Sequence, residues 1–122
     1  MKFTRQFFAY VLVGACCYGC AQMDQVQSAK ATRSKFDGAV YKGTTTFISD
    51  NKDGIEEFRV FHQAPSGFSE VAHVQASATA EAIRFCGMRN MRAVFFSETI
   101  STPPHVLGNF PRAEVVFGCA KN

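Results

Sequence analysis

The chain has 122 residues, 47% of them hydrophobic, with thirteen Phe, five Cys and no Trp. That is enough for at most one small domain with its own core, and too apolar for a disordered chain. The formal charge is +3, and Lys2 and Arg5 of the first segment carry two of those charges; what remains is too little to suggest a nucleic-acid surface.

Residues 1–15 read as an export signal. MKFTRQ is a short basic start, and FFAYVLVGA is an apolar run that ends in small residues. The run falls well short of the ~20 apolar residues that cross a bilayer as a helix. Leu12-Val13-Gly14-Ala15-Cys16 resembles the lipobox of bacterial lipoproteins. By that resemblance the chain is cleaved before Cys16, which then carries a covalent diacylglycerol and an N-acyl chain. Cys20, after Cys17-Tyr18-Gly19, is the alternative lipidation site, with Cys17 where an aliphatic residue is usual. An ordinary cleaved signal with spare cysteines is the competing reading. Exposed unmodified thiols are a liability in an oxidising compartment, which favours the lipid. Neither candidate is followed by Asp (Cys17 or Ala21 comes next). In the lipoprotein resemblance that pattern implies the outer membrane, with the domain facing the periplasm.

Residues 16–36 are expected to form the lipidated N-terminus and a flexible spacer. AQMDQVQSAKATRSKF, over 21–36, is polar and has no sustained apolar period; a short helix is the alternative there. The domain is expected over 37–120. GAVYKGTTTFIS has strand composition, and Asp50-Asn51-Lys52-Asp53-Gly54 is a cluster of turn formers. In IEEFRVFHQ, Phe58, Val60 and His62 alternate with Arg59, Phe61 and Gln63. The pattern predicts a hairpin of about 40–49 with 55–63. Ser49, Asn51, Asp53 and Gly54 echo part of a calcium loop. Ser stands at its first position, though, and Val60 replaces the bidentate Glu at its twelfth. The turn reading prevails.

APSGF, 64–68, is a loop. Ser69 to Asn90 reads as a helix, with Ser69 as N-cap and Asn90 as a left-handed C-cap. Val71, Val74, Ala78, Ala82 and Phe85 make one apolar face, and Ala72, Ala76, Ala80 and Ile83 a second beside it. A rival reading makes 70–75 a strand and starts the helix at Ser77. MRAVFFSETI, 91–100, has strand character, STPPHVLGNFP, 101–111, is a loop, and RAEVVFGC, 112–119, alternates as a last strand. The predicted class is α+β: β-β-α-β-β, a four-stranded antiparallel sheet with one helix packed on a face.

Chemistry is sparse. With the N-terminal cysteines set aside, Cys86 and Cys119 remain, and in an exported domain they are expected to form a disulfide. A redox or metal-binding thiol pair has no CxxC spacing to support it. His62, His73 and His105 lack metal-ligand spacing. There is no nucleophile elbow and no glycine-rich phosphate loop. Glu56 and Glu57 adjoin on a predicted strand and so face opposite sides. Arg84, Arg89, Arg92 and Arg112 are a modest basic set without an aromatic–basic repeat, and read as solvating the helix end and strand starts rather than binding nucleic acid. No catalytic residue or metal ligand is assigned, and no cofactor beyond the covalent lipid is expected.

The sequence as a whole resembles small proteobacterial lipoproteins of uncharacterised function. The resemblance rests on the lipobox, the spacer, Ala64 to Phe68 with Ala78, Ala82, Phe85 and Cys86, and the terminal GNFPRAEVVFGC from Gly108 to Cys119. It spans roughly 58–119, and Met88-Arg89-Asn90 departs from the glycine turn expected after the helix. It brings no catalytic or ligand residues with it. It implies a non-enzymatic, membrane-anchored envelope lipoprotein that acts as a structural or protein-interaction module with an envelope protein partner. A small-ligand or metal-binding module built around His105 and Phe110 is the alternative, with an envelope hydrolase a distant third. Cys16→Ser should abolish incorporation of radiolabelled fatty acid in growing cells. Labelling that survives it and disappears only in Cys20→Ser would move the anchor to Cys20.

Overall fold

The computed structural model describes residues 22–122. Two short strands, β1 (Gln22–Met23) and β2 (Gln27–Ser28), precede β3 (Gly43–Phe47) and β4 (Phe58–Gln63). Helix α1 (Val71–Gly87) follows, then β5 (Met91–Ser101) and β6 (Arg112–Lys121). All strand pairs are antiparallel, in the order β1-β4-β6-β5-β3, with β2 also on β4. The helix covers one face. The α+β class is as the sequence implies, and the sheet has six strands where four were expected.

Sheet and helix meet through complementary stripes. Phe58, Val60 and His62 of β4 lie on the same face as Ala113, Val115 and Phe117 of β6, and this face takes the helix. Val74, Ala78, Ala82 and Cys86 are the buried residues of α1, one per turn. Ala78 and Ala82 are fully buried, so the helix axis sits close to β6. Phe58, Phe85 and Phe117 close the far end of the core, with ring centroids 4.8 to 5.9 Å apart. The second expected face of the helix is exposed: Ala72, Ala76, Ala80 and Ile83 meet solvent, because one sheet face accepts one helix stripe and no further layer among the described residues covers α1.

The hairpin expected from 40–49 and 55–63 does not form. β3 pairs with β5 at one edge, while β4 pairs with β6, two strands away. The connection is too long for a tight turn. It crosses the face opposite the helix, where the backbone N–H groups of Ile48 and Ser49 donate to the Phe96 carbonyl. Asp53 and Gly54 do take positive φ, of 34° and 71°, but within this crossing rather than between paired strands.

Residues 22–36, read as spacer, are placed against the sheet. β1 and β2 pair with β4, Phe36 is buried against Phe61 at 6.0 Å, and the Lys35 backbone N–H donates to Glu114 Oε2 at 2.9 Å. Contacts to the domain thus begin before residue 37. Gly43 accommodates this packing, since a Cβ there would stand 2.7 Å from the Phe36 ring.

The helix begins at Val71 with Glu70 as N-cap and no side-chain cap bond, one residue later than the Ser69 N-cap signal placed it. Strand geometry for 70–75 is excluded. At the other end the helix stops at Gly87 with Met88 as a right-handed C-cap, short of the expected Asn90, which takes its left-handed φ of 57° in the turn that leads into β5. In β5 the consecutive apolar residues Phe95 and Phe96 are separated by a bulge: Phe95 is opposite Phe117 and Ser97 opposite Val116. The bulge lets Phe95 and Ile100 both join the helix side while Phe96 is buried on the other.

Cys86 and Cys119 are joined, with Cα atoms 5.4 Å apart and a sequence separation of 33. The bridge fastens the last turn of α1 to the end of β6. For a loop of this length the chain-entropy account gives about 3–4 kcal/mol, a large share of the ~5–15 kcal/mol available to a small domain. The double variant Cys86→Ser/Cys119→Ser should lose stability of that order in urea titrations. A loss under ~1 kcal/mol would mean that packing alone holds the helix.

Candidate functional site

Cys16 and Cys20 lie outside the described residues. Cys86 and Cys119 are committed to the disulfide. The remaining site candidates sit on three surfaces, each built by a different part of the sheet.

The first is a cleft of about 200 Å³ between the end of β4 and the first turns of α1, lined by Met23, His62, Ser69, His73, Val74 and Ser77. It brings together two of the three histidines. Period-two alternation turns His62 toward the helix beside Val60, where it is 3% exposed, and its Nδ1 is 2.8 Å from Ser77 Oγ. His73 lies on the solvent side, 3.8 Å from Glu70. Burial lowers the His62 pKa below its ordinary value, against the weaker upward pull of Glu81 and Asp24. The ring is therefore neutral at pH 7, and the hydroxyl satisfies one of its nitrogens.

A serine hydroxyl on an imidazole nitrogen is the first half of a nucleophile–base pair. Here the pairing uses Nδ1, and among the described residues no carboxylate makes an ion pair with His62. The geometry is that of a buried polar contact which locks α1 against β4, with room beside it for a small polar group.

The second surface is the sheet face away from the helix. Its floor is a trough of about 390 Å³ that includes Arg59, Glu114, Thr45, Ser97 and Thr99. Arg59 Nη1 donates to Glu114 Oε1 at 2.8 Å, with only 3% of the Glu114 side chain exposed. The two residues are diagonal neighbours, since Arg59 opposes Val116 and Glu114 opposes Phe61. Arg59 Nε is buried and has no hydrogen-bond partner among the described residues. The Lys35 N–H occupies the other carboxylate oxygen. The pair thus ties residues 29–36 to the sheet.

The third surface holds the loop of 102–111. Its His105 Nε2 is 2.9 Å from Ser101 Oγ, so it does not converge with His62 and His73. Buried Asn109 donates to the Thr102 and Pro104 carbonyls at 2.9 and 2.8 Å. The Arg112 guanidinium donates to the carbonyls of Phe110 and Tyr41 and to Asn109 Oδ1, and stacks 4.7 Å from the Phe36 ring. Burial lowers its pKa. The loop's polar groups are consumed in holding its own shape. Asp53 and Gly54 of the calcium-like turn lie in the 48–57 crossing, and among the described residues no cluster of three or more His, Cys, Asp or Glu could hold a metal ion.

The His62–Ser77 and Arg59–Glu114 contacts join residues far apart in the chain, and linear spacing cannot reveal them. The alternation in β4 and β6 does place His62 on one face, and Arg59 with Glu114 on the other. No protein family, curated protein or solved structure matches the chain.

His62 makes stability depend on pH. Its folded pKa is depressed, so below the ordinary value of about 6.5 the unfolded chain takes up protons more readily. Stability is complete above that pH and falls as pH drops through the folded-state value, by at most about 1.4 kcal/mol per pH unit for one group. Urea midpoints measured from pH 8 to 5 should show the decline, and His62→Gln should flatten it. An unchanged slope in the variant would assign the dependence elsewhere.

Proposed function

We propose that this protein is a cell-envelope lipoprotein, anchored through an acylated N-terminal cysteine and acting as a protein-interaction module rather than an enzyme. The placement is supported by the lipobox-like Leu12–Cys16 and by the pairing of Cys86 with Cys119, which suits an oxidising compartment. Among the described residues no helix is long and apolar enough to cross a membrane, so attachment would rest with the N-terminal segment.

The observation that carries the interaction reading is the free edge of β3. Among the described residues this strand pairs on one side only, with β5. Its outer row of N–H and C=O groups is a template for another extended segment. Four of its five residues are exposed, and Phe47 is 79% exposed beside Ile48 at 54%. Thr44, Thr45 and Thr46 present β-branched side chains without charge, and the Thr45 and Thr99 hydroxyls bond at 2.8 Å across the pair. Natural edges are usually blunted by charge, proline or cover; this one is straight and apolar at its end. An extended segment of an envelope partner would add to the sheet here, with Phe47 and Ile48 as anchors.

A photo-crosslinking residue at position 46 should give a discrete adduct in intact cells, and one at exposed position 72 on the helix should not. Phe47→Asp should remove the adduct while changing stability by less than ~0.5 kcal/mol. Equal labelling from both positions would sink the edge-strand reading.

A further inference from the structure

We propose that the loop tip at the start of α1 is a bilayer-contacting surface, which sets Phe68, Val106 and Leu107 into the interface of the membrane that holds the lipid anchor. This inference rests on the lipoprotein reading and adds to it an orientation and a second point of membrane contact.

The tip collects three loops at one end of the sheet: 38–42 before β3, 64–70 between β4 and α1, and 102–111 between β5 and β6. Phe68 is 99% exposed, Val40 91%, Leu107 89% and Val106 56%. Single exposed apolar side chains are ordinary, but a group of them on adjoining loops marks a contact surface. The loops do adjoin. Tyr41 Oη donates to the Leu107 carbonyl at 2.8 Å, and Val40, Tyr41, Val106 and Leu107 line one depression. Gly67 lies so near His105 that a Cβ there would strike its carbonyl.

The exposed apolar groups stand on a fixed base. Arg112 and Asn109 hold the loop carbonyls from beneath, and Leu107 has φ 54°, a conformation uncommon outside glycine. A core-directed loop would turn these side chains inward; this one is held with them outward.

Two observations identify a bilayer as the occupant. The first is charge. The tip loops carry charge only at their ends, Lys42 of 38–42 and the exposed Glu70 of 64–70, and 102–111 has none, whereas 48–57 at the opposite end contains Asp50, Lys52, Asp53, Glu56 and Glu57. Side chains that reach the acyl layer must be uncharged, and charge is accommodated only at headgroup depth around them. Tyr41 and Lys42 border the patch, an amphipathic ring and an ammonium suited to headgroup depth.

The second is where the chain joins the fold. Gln22 opposes Gln63, the last residue of β4, so the segment bearing Cys16 and Cys20 meets the sheet at the end that carries the tip. At the ~3.5 Å per residue limit of an extended chain, Cys20 lies within about 7 Å of Gln22 and Cys16 within about 20 Å. A lipid on either cysteine keeps this end of the domain at the membrane surface. Acyl chains supply the affinity, and the tip sets the attitude.

The natural protein has no Trp, so one introduced indole reports alone. Phe68→Trp and Leu107→Trp place it on two separate tip loops, and Met88→Trp, at a side chain 71% exposed beyond the far end of the helix, serves as control. Each full-length variant is expressed for export, purified in its processed form, and reconstituted into phosphatidylethanolamine–phosphatidylglycerol vesicles with brominated acyl chains. Mass spectrometry reads the lipid, and fluorescence reads the depth.

Both tip variants should be quenched at least about twofold more than the Met88 variant, as expected for an interfacial aromatic. Lipid-bearing protein that pellets with vesicles but is quenched no more at 68 and 107 than at 88 overturns the tip contact and leaves the anchor standing. If that protein also sediments as a dimer, the patch belongs to a second copy. Processed protein without a lipid adduct overturns the anchor and the tip together. Urea midpoints of the three variants confirm that each is folded, and the two tip positions guard against one damaged loop.

Discussion

The domain depends on the close seating of α1 on β6. Ala78, Ala82 and Cys86 form the helix side of that contact, and Ala113, Val115, Phe117 and Cys119 the strand side. Small side chains on the helix bring its backbone near the sheet, so the larger Val115 and Phe117 fill the space from below. The disulfide then holds the one end that small residues alone would leave free to lift. β6 is bonded on both sides, by β4 and by β5, so an element fixed to β6 is fixed to the whole sheet. A single helix suffices for a core of this size because the sheet's other face is covered by the chain's own loops, 29–42 and 48–57.

Those coverings explain why some of the fold was legible in the sequence and some was not. Alternation in β4 and β6 indicated which face each residue takes, and the small-residue spacing indicated the helix and its buried stripe. Cys86 and Cys119 were readable as a pair because no other cysteines remained. The partner of β3 was not readable. Asp53-Gly54 is a sound turn signal, and the turn forms, but local chemistry cannot tell whether the chain doubles back onto a neighbour or passes over two strands first. Likewise β1 and β2 have only two residues each, too few to show any period. Val26 and Phe36 are the apolar anchors in that stretch, and they stand too far apart in a polar run to show a period. Register with β4 and the Lys35–Glu114 bond are tertiary events, and tertiary context overrides weak local preference.

The polar contacts divide by the same logic. Arg59–Glu114 ties residues 29–36 to the sheet, His62–Ser77 ties β4 to the helix, and Arg112 with Asn109 ties the loop tip to the strands. Each fixes one element or loop to the sheet through bonds to protein groups, with Arg59 Nε left without a partner among the described residues. A buried ion pair adds little net stability over apolar packing, and removing one partner is costly; such contacts specify position more than they stabilise. That distribution holds the surfaces around these contacts in a fixed shape.

The two ends of the sheet differ in a way that bears on how such a module would work. The end carrying the tip is apolar, with charge only at its border in Lys42 and Glu70, and the end carrying 48–57 is densely charged. With the tip at the bilayer, the strands run roughly along the membrane normal. β3 starts at Gly43 near the tip and finishes at Phe47 on the charged side, so its free edge rises away from the membrane. Phe47 and Ile48 then stand at the distal end of that edge, where an extended segment reaching from elsewhere in the envelope meets them first. Adding a strand there needs no rearrangement of the helix or the core, because β3 touches neither α1 nor β6 as a strand neighbour. Anchoring and recognition would occupy opposite ends of one rigid sheet, and the lipid would restrict the search for a partner by fixing which way that edge points.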